Sequence, residues 1–337
     1  MIIDCDVHAE VREHADLLPY MSLAWRKHFE RDEWLRAANL VSSHVRMSDA
    51  FGHAQAPAYL PVTDPGRTDL VLPPQGLAVN GWADHPAATV YLQALNSFAD
   101  EHWASPSSRL AIGVSPHDRA WSAAEIRRRA GSPATGAVAM ALVPEMLGSS
   151  GWDPVYDACV ETGLPLVIHY SGVEGLYLGA APLSGGVHRS ALARLTLMPH
   201  LAESNVASLV LGGAFARFPG LRVLLAGFGF SWLPPMLWRL DREWRTFRAD
   251  VPWVTAPPSE QVAQSFWFTS HPLGEAAGRE RAAVLPPGLR SRIVFGSHFP
   301  YGADSAGQID DRLGPGWAEQ MMSNGAELFS GTARVAR

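Results

Sequence analysis

Eight short apolar runs, alternating with longer stretches of helical character, constrain this chain more than any other feature. The runs are Ile2–Cys5, Asp69–Leu72, Arg109–Val114, Ala137–Leu142, Pro165–His169, Arg222–Ala226, Ser265–Phe268 and Arg292–Gly296. Between them, Pro86–His102 carries Val90, Leu92, Ala94, Leu95 and Phe98 at roughly helical spacing. Ser22–Asn39, Trp121–Ala130, Asp153–Thr162 and Trp232–Phe247 also read as helices. Gly163 is a natural stop, and Pro234 and Pro235 sit in a first turn, where missing N–H groups cost little. Strand–helix alternation is the pattern of a parallel sheet, and eight units fit a closed (β/α)8 TIM barrel. A doubly wound sheet is the alternative. It wants a glycine-rich phosphate loop after the first strand, and Asp6-Val7-His8 stands there instead.

A barrel accommodates 337 residues, 47% of them hydrophobic, as a single domain spanning 1–337. Residues 10–68 read as a long insertion between strands one and two, expected over the barrel mouth. The stretch 172–200 reads as a loop lining the pocket. A net charge of −6 with no block of like charges gives no footprint for nucleic acid or an anionic membrane. No apolar run is long enough to span a bilayer. The chain reads as strand from Met1, which leaves no room for a signal peptide, and Cys5 and Cys159 build no disulfide framework. The expected compartment is the cytoplasm.

In a barrel the reactive groups gather at the C-terminal ends of the strands. After strand one stand Asp6 and His8, after strand five His169, after strand seven Ser270-His271, and after strand eight Ser297-His298. Residues i and i+2 of an extended segment point the same way, so Asp6 and His8 can share one ion. Carboxylate and imidazole both suit Zn²⁺ or Mn²⁺. His169 ends an apolar run and is a third ligand candidate; the alternative is a core histidine bonded to backbone. The histidines at 44, 53, 85, 102, 117, 188 and 200 carry no motif and are expected to face solvent. Trp25, Trp34, Trp232, Trp238 and Trp244 fall on helices and read as packing or interface residues.

Five segments carry a family resemblance: IIDCDVH at 2–8, GLPLVIH at 163–169, AFARFPGLRVLL at 214–225, GFSWLPPMLWRLD at 229–241 and RIVFGSHFP at 292–300. In this order they resemble the amidohydrolase-related family that includes aminocarboxymuconate-semialdehyde decarboxylase and related aromatic-acid decarboxylases. The resemblance implies a (β/α)8 barrel, a homodimer, one divalent metal (Zn or Mn) and a small-molecule substrate bearing a carboxylate or carbonyl. It makes Asp6, His8 and His169 metal ligands. It places Arg239 where a family arginine reaches substrate across a dimer interface, with a surface salt bridge as the other reading. Tyr170 and Phe228 join the expected substrate-binding residues.

Two positions depart from the family pattern. Gly227 stands where strand six should offer a histidine or glutamate, so no side chain acts as acid or base there. His298 replaces the aspartate of the strand-eight motif, as a fourth metal ligand or as an acid/base group. His271 is a candidate substitute for the group lost at Gly227, against the reading of a surface loop histidine. Two functions follow. One is a metal-dependent decarboxylase or hydrolase, with His298, His271 and His169 as catalytic candidates. The other is a metal-free barrel that cyclises, dehydrates or isomerises a specialised metabolite.

Overall fold

The structure is a computed structural model. It describes residues 2–31, 59, 61, 66–82, 84–171, 191–273, 280, 283–286, 288–302 and 304–330. The strands are β1 (Ile2–His8), β2 (Arg67–Leu72), β3 (Ser108–Gly113), β4 (Thr135–Ala141), β5 (Leu166–His169), β6 (Val223–Ala226), β7 (Phe266–Thr269) and β8 (Ile293–Val294). They pair in parallel in the order β1 to β8. A parallel bridge between Val7 and Phe299 joins the two ends of the sheet. It is supported by Cys5 N–H to Phe295 O (2.9 Å) and His8 N–H to Phe299 O (2.7 Å). The chain is therefore a (β/α)8 TIM barrel, and the doubly wound alternative is set aside.

The helices are α1 (Leu23–Arg31), α2 (Pro74–Ala78), α3 (His85–His102), α4 (Arg119–Arg129), α5 (Asp153–Thr162), α6 (Ala191–Leu211), α7 (Ala214–Arg217), α8 (Leu233–Phe247), α9 (Pro258–Ser265), α10 (Ile309–Leu313) and α11 (Trp317–Phe329). Asp84 and Asp118 cap α3 and α4 by accepting a first-turn N–H, which satisfies donors the helix cannot. Gly163 ends α5 in the left-handed conformation that glycine adopts freely. Inside the barrel pack Ile3, Cys5, Leu70, Leu72, Ala137, Ala139, Val167, Leu224, Trp267 and Val294. Outside, strand residues such as Val138, Leu166, Phe266 and Phe268 pack under the helices.

Two expectations change. Strand one does not stop at Cys5 but runs through Asp6 and His8. Between Asp4 and Val7 its register slips, so that Cys5 and Asp6 together face Leu70 of β2. This is a β-bulge, which turns the strand face over by one residue. Second, the stretch 172–200 is not loop to its end, because α6 begins at Ala191. Residues 172–190 lie outside the described residues. Among the histidines expected to face solvent, His85 and His117 are exposed; their rings stack on one another at 3.7 Å, and His117 Nε2 bonds Asn80 O at 2.8 Å. The beginning of the 10–68 insertion packs beside the barrel: Leu17 and Met21 are buried with Tyr91 and Leu95 of α3. The rest of the expected helix Ser22–Asn39 beyond Arg31, and residues 32–58 generally, lie outside the described residues.

Candidate metal centre

Asp6 and His8 sit at the end of β1, His169 at the end of β5 and His298 just after β8. All four are buried, with relative exposures of 0–2%. One potential ligand atom from each lies within 4.8 Å of the others. His8 Nε2 stands 3.2 Å from Asp6 Oδ1 and 3.0 Å from His298 Nδ1. His298 Nδ1 is 3.2 Å from Asp6 Oδ2, and His169 Nε2 is 3.6 Å from Asp6 Oδ1.

The backbone decides where the protons are. His8 Nδ1–H donates to Leu72 O (3.1 Å) and His169 Nδ1–H donates to Tyr170 O (2.6 Å). Each ring therefore keeps a lone pair on Nε2, and both lone pairs face Asp6. Among the described residues, Asp6 Oδ1 and His169 Nε2 have no hydrogen-bond partner. Three acceptors converge with no proton between Asp6 Oδ1 and either ring, an arrangement that repels itself unless a cation stands among them. Burial pushes His169 down to about 3 and His298 down to about 4, each against the attraction of Asp6, so the rings are neutral near pH 7. Burial would push Asp6 up, but the imidazoles around it, His298 foremost, hold it well below the usual carboxylate range. One anionic oxygen ligand and three neutral nitrogen ligands fit a divalent ion such as Zn²⁺ or Mn²⁺. The Nδ1–H bonds to carbonyls are the orienting contacts that metal-bound imidazoles use.

His298 adopts a left-handed backbone (φ 56°), a conformation costly for a side chain with a Cβ and often found where function demands it. Its Nε2 lies 2.9 Å from Tyr170 Oη. Gly227 also has a left-handed backbone (φ 82°), and a Cβ there would lie 2.7 Å from Tyr170 Cε1 and 2.9 Å from His169 Nε2. The Tyr170 ring thus occupies the space a β6 side chain would need, which explains the glycine. Phe228 is buried with its ring edge-on to Tyr170, at 5.7 Å. His271 stacks on His298 with ring centroids 4.5 Å apart, and its Nδ1 lies 2.7 Å from Asp304 Oδ2. Arg239 does not join this cluster. It lies half exposed on α8, paired with Glu203 of α6 at 2.8 Å.

The sequence reading missed two residues, Asp304 and Tyr301. Tyr301 is buried with its ring 5.5 Å from that of His8, and its hydroxyl has no hydrogen-bond partner among the described residues. Asp304 is 33 residues from His271 and shares no motif with it. The one signal for Tyr301 was its place three residues after His298.

The amidohydrolase family model matches residues 3–313, nearly the whole chain. The chain belongs to the amidohydrolase family. This amidohydrolase is accordingly an enzyme of the amidohydrolase superfamily. No curated protein sequence matches it. Its fold is shared by solved structures. A 5-carboxyvanillate decarboxylase from Novosphingobium aromaticivorans with bound manganese has a TM-score of 0.69 at 15% identity, covering 98% of this chain and 97% of that one. A dihydroxybenzoic acid decarboxylase from Polaromonas, also with manganese, has a TM-score of 0.63 at 14% identity over 98% and 96%. An amidohydrolase from Mycobacterium avium subsp. paratuberculosis has a TM-score of 0.63 at 22% identity over 78% and 70%. Among the described residues of this amidohydrolase, no helix is long and apolar enough to cross a membrane.

Proposed function

We propose that this amidohydrolase is a metal-dependent carbon–carbon lyase that removes CO2 from a small aromatic or unsaturated carboxylate. The single observation that carries the reading is the convergence of Asp6 Oδ1, His8 Nε2 and His169 Nε2, three buried acceptors with no proton among them. Asp6, His8, His169 and His298 would hold one Zn²⁺ or Mn²⁺. When bound, the ion supplies positive charge that fixes substrate oxygens and stabilises developing negative charge. Hydrolysis wants a base beside the attacking water, and the β6 slot for one is filled by Gly227 and the Tyr170 ring. Decarboxylation needs only a proton for the carbon that CO2 leaves, and His271 can bring it from beside His298. Tyr170 orients His298, and Phe228 backs Tyr170. The manganese decarboxylases of shared fold support the same reaction class.

The reading includes a homodimer, formed over the exposed side of α8 around Trp238 and Arg239, where the Trp238 side chain is 58% exposed. It also places the enzyme in the cytoplasm, where the buried free thiols of Cys5 and Cys159 stay reduced. The deciding experiment is elemental analysis of purified protein, as isolated and after reconstitution with Zn²⁺ or Mn²⁺. It is followed by CO2 release from 5-carboxyvanillate and 2,6-dihydroxybenzoate. The expected result is about one ion per chain and CO2 release that depends on it. Protein that stays metal-free after reconstitution sinks the reading and returns the chain to metal-free chemistry.

A further inference from the structure

Asp304 lies outside the metal cluster, yet it is built to hold one histidine of the site in one form. Its Oδ2 accepts two hydrogen bonds, from His271 Nδ1 at 2.7 Å and from the backbone N–H of Leu273 at 2.8 Å. The Leu273 amide is a fixed donor, so it anchors the carboxylate independently of the ring. On its other side the His271 ring is set by its stack on His298, with 14° between the planes. Gly302 clears the way: a Cβ there would lie 3.0 Å from His271 Cε1 and 2.3 Å from Ser297 O. Burial would push the Asp304 carboxyl up, but the His271 and Leu273 bonds hold it below its ordinary value, so it is ionised.

An ionised carboxylate only accepts. Nδ1 of His271 must therefore carry the proton, and Nε2 is the nitrogen left to exchange one. Among the described residues no group bonds Nε2. The side chain is 17% exposed, whereas His8, His169 and His298 are all but sealed. A ring so placed has the carboxylate–imidazole arrangement that fixes a tautomer.

We propose that Asp304 is a positioning residue that locks His271 in the Nδ1–H form, so that His271 Nε2 supplies the proton-transfer function that Gly227 cannot. This rests on the decarboxylase reading above. In that reaction the C–C bond to the carboxylate breaks and CO2 leaves. The electron pair stays on the ring or vinyl carbon, and that carbon takes a solvent proton passed on through His271 Nε2. The ring keeps its Nδ1–H toward Asp304 throughout, and the one proton taken from solvent ends on carbon, so charge and protons balance.

The test needs no substrate. Protein labelled with ¹⁵N-histidine is observed by long-range ¹H–¹⁵N correlation. The same samples are treated with diethylpyrocarbonate, and the modified histidines are counted by mass spectrometry. In the wild type His271 shows a protonated Nδ1 and is carbethoxylated faster than His8, His169 or His298. Asp304→Asn, which can offer Nδ1 a donor in place of the acceptor, shifts His271 toward the Nε2–H form and slows its modification several-fold. Asp304→Glu restores part of the rate, which a merely structural role would not produce. A wild-type His271 in the Nε2–H form, or an unchanged rate in Asp304→Asn, overturns the proposal. Metal content is measured on the same preparations. Its absence overturns the function proposed above and is read separately from the state of His271.

Discussion

Between α3 and α4 the barrel buries Asn96, Glu125 and Arg129; at its mouth it buries Asp6, His8, His169 and His298. The first group is closed. Asn96 Nδ2 donates to Gly113 O and Glu125 Oε1, and Asn96 Oδ1 accepts from Gly113 N–H. Arg129 pairs with Glu125 and Asp100 and donates to Asn96 O and Ser97 Oγ. Every donor faces an acceptor, so the network ties two helices to β3 and has nothing left to offer a ligand. The second group is open, since Asp6 Oδ1 and His169 Nε2 face each other without a proton or a partner. Burial alone does not separate structure from function in this molecule. Satisfaction does: an orphaned buried acceptor costs about 1–3 kcal/mol and persists only where something else supplies its partner.

The comparison is tested most strongly by pH. In metal-free protein, His169 and His298 hold folded values near 3 and 4, below the ordinary 6.5 of an imidazole. The unfolded chain takes up protons as pH falls through 6.5, while the folded rings stay neutral until about 3–4. Their stabilising contribution is therefore whole above 6.5 and lost as pH falls toward 4. At pH 5 the two rings together account for as much as about 4 kcal/mol. Thermal unfolding of metal-free protein should show Tm falling over this window. His298→Asn, which tolerates the left-handed backbone, should make the slope shallower. Burial raises Asp4 to about 7, which acts with the opposite sign in this window, so the variant decides: an unchanged slope in His298→Asn would mean the mouth is as closed as the α3–α4 network.

A pair of truncations should then separate the two groups. Glu125→Ala leaves Arg129 with Asp100 as its remaining acidic partner, at a cost of about 3 kcal/mol, and leaves metal affinity unchanged. Asp6→Ala should do the reverse. Metal affinity falls more than about 100-fold, beyond the usual effect of losing an outer contact, while the metal-free Tm holds or rises. Titration of both variants with Zn²⁺ and Mn²⁺, alongside thermal melts, checks it. Loss of metal binding in Glu125→Ala at intact fold would break the distinction.

The same contrast explains what the sequence could and could not reveal. All eight strands were legible, because buried parallel strands are continuous apolar runs and the intervening helices have their own period. Asp6, His8, His169 and His298 were legible because each closes such a run, and the barrel brings strand ends together. The bulge at Cys5-Asp6 was not, since it leaves the composition of the strand unchanged and shows only in the register with β2. Helix α6 was hidden by Pro199 in its interior. Gly227 read as a loss, whereas the structure shows the Tyr170 ring where a side chain would be. The His271–Asp304 pair was invisible because its partners are joined by folding and not by spacing.

Tyr170 provides the smallest and most discriminating effect. Its hydroxyl meets His298 Nε2 at 2.9 Å, and its ring fills the space over Gly227. If His298 binds an ion through Nδ1, Nε2 carries the proton and Tyr170 Oη accepts it, the outer contact that fixes a metal-bound imidazole. Tyr170→Phe keeps the ring and removes only that acceptor. Metal affinity should weaken about tenfold, and the metal-free protein should lose about 1 kcal/mol for the unpaired Nε2. Isothermal titration at fixed pH measures the first and denaturant unfolding the second. If Tyr170→Phe lowers stability but leaves metal affinity untouched, His298 is not a ligand through Nδ1. The metal then rests on Asp6, His8 and His169, and His298 belongs with the closed, structural side of the comparison.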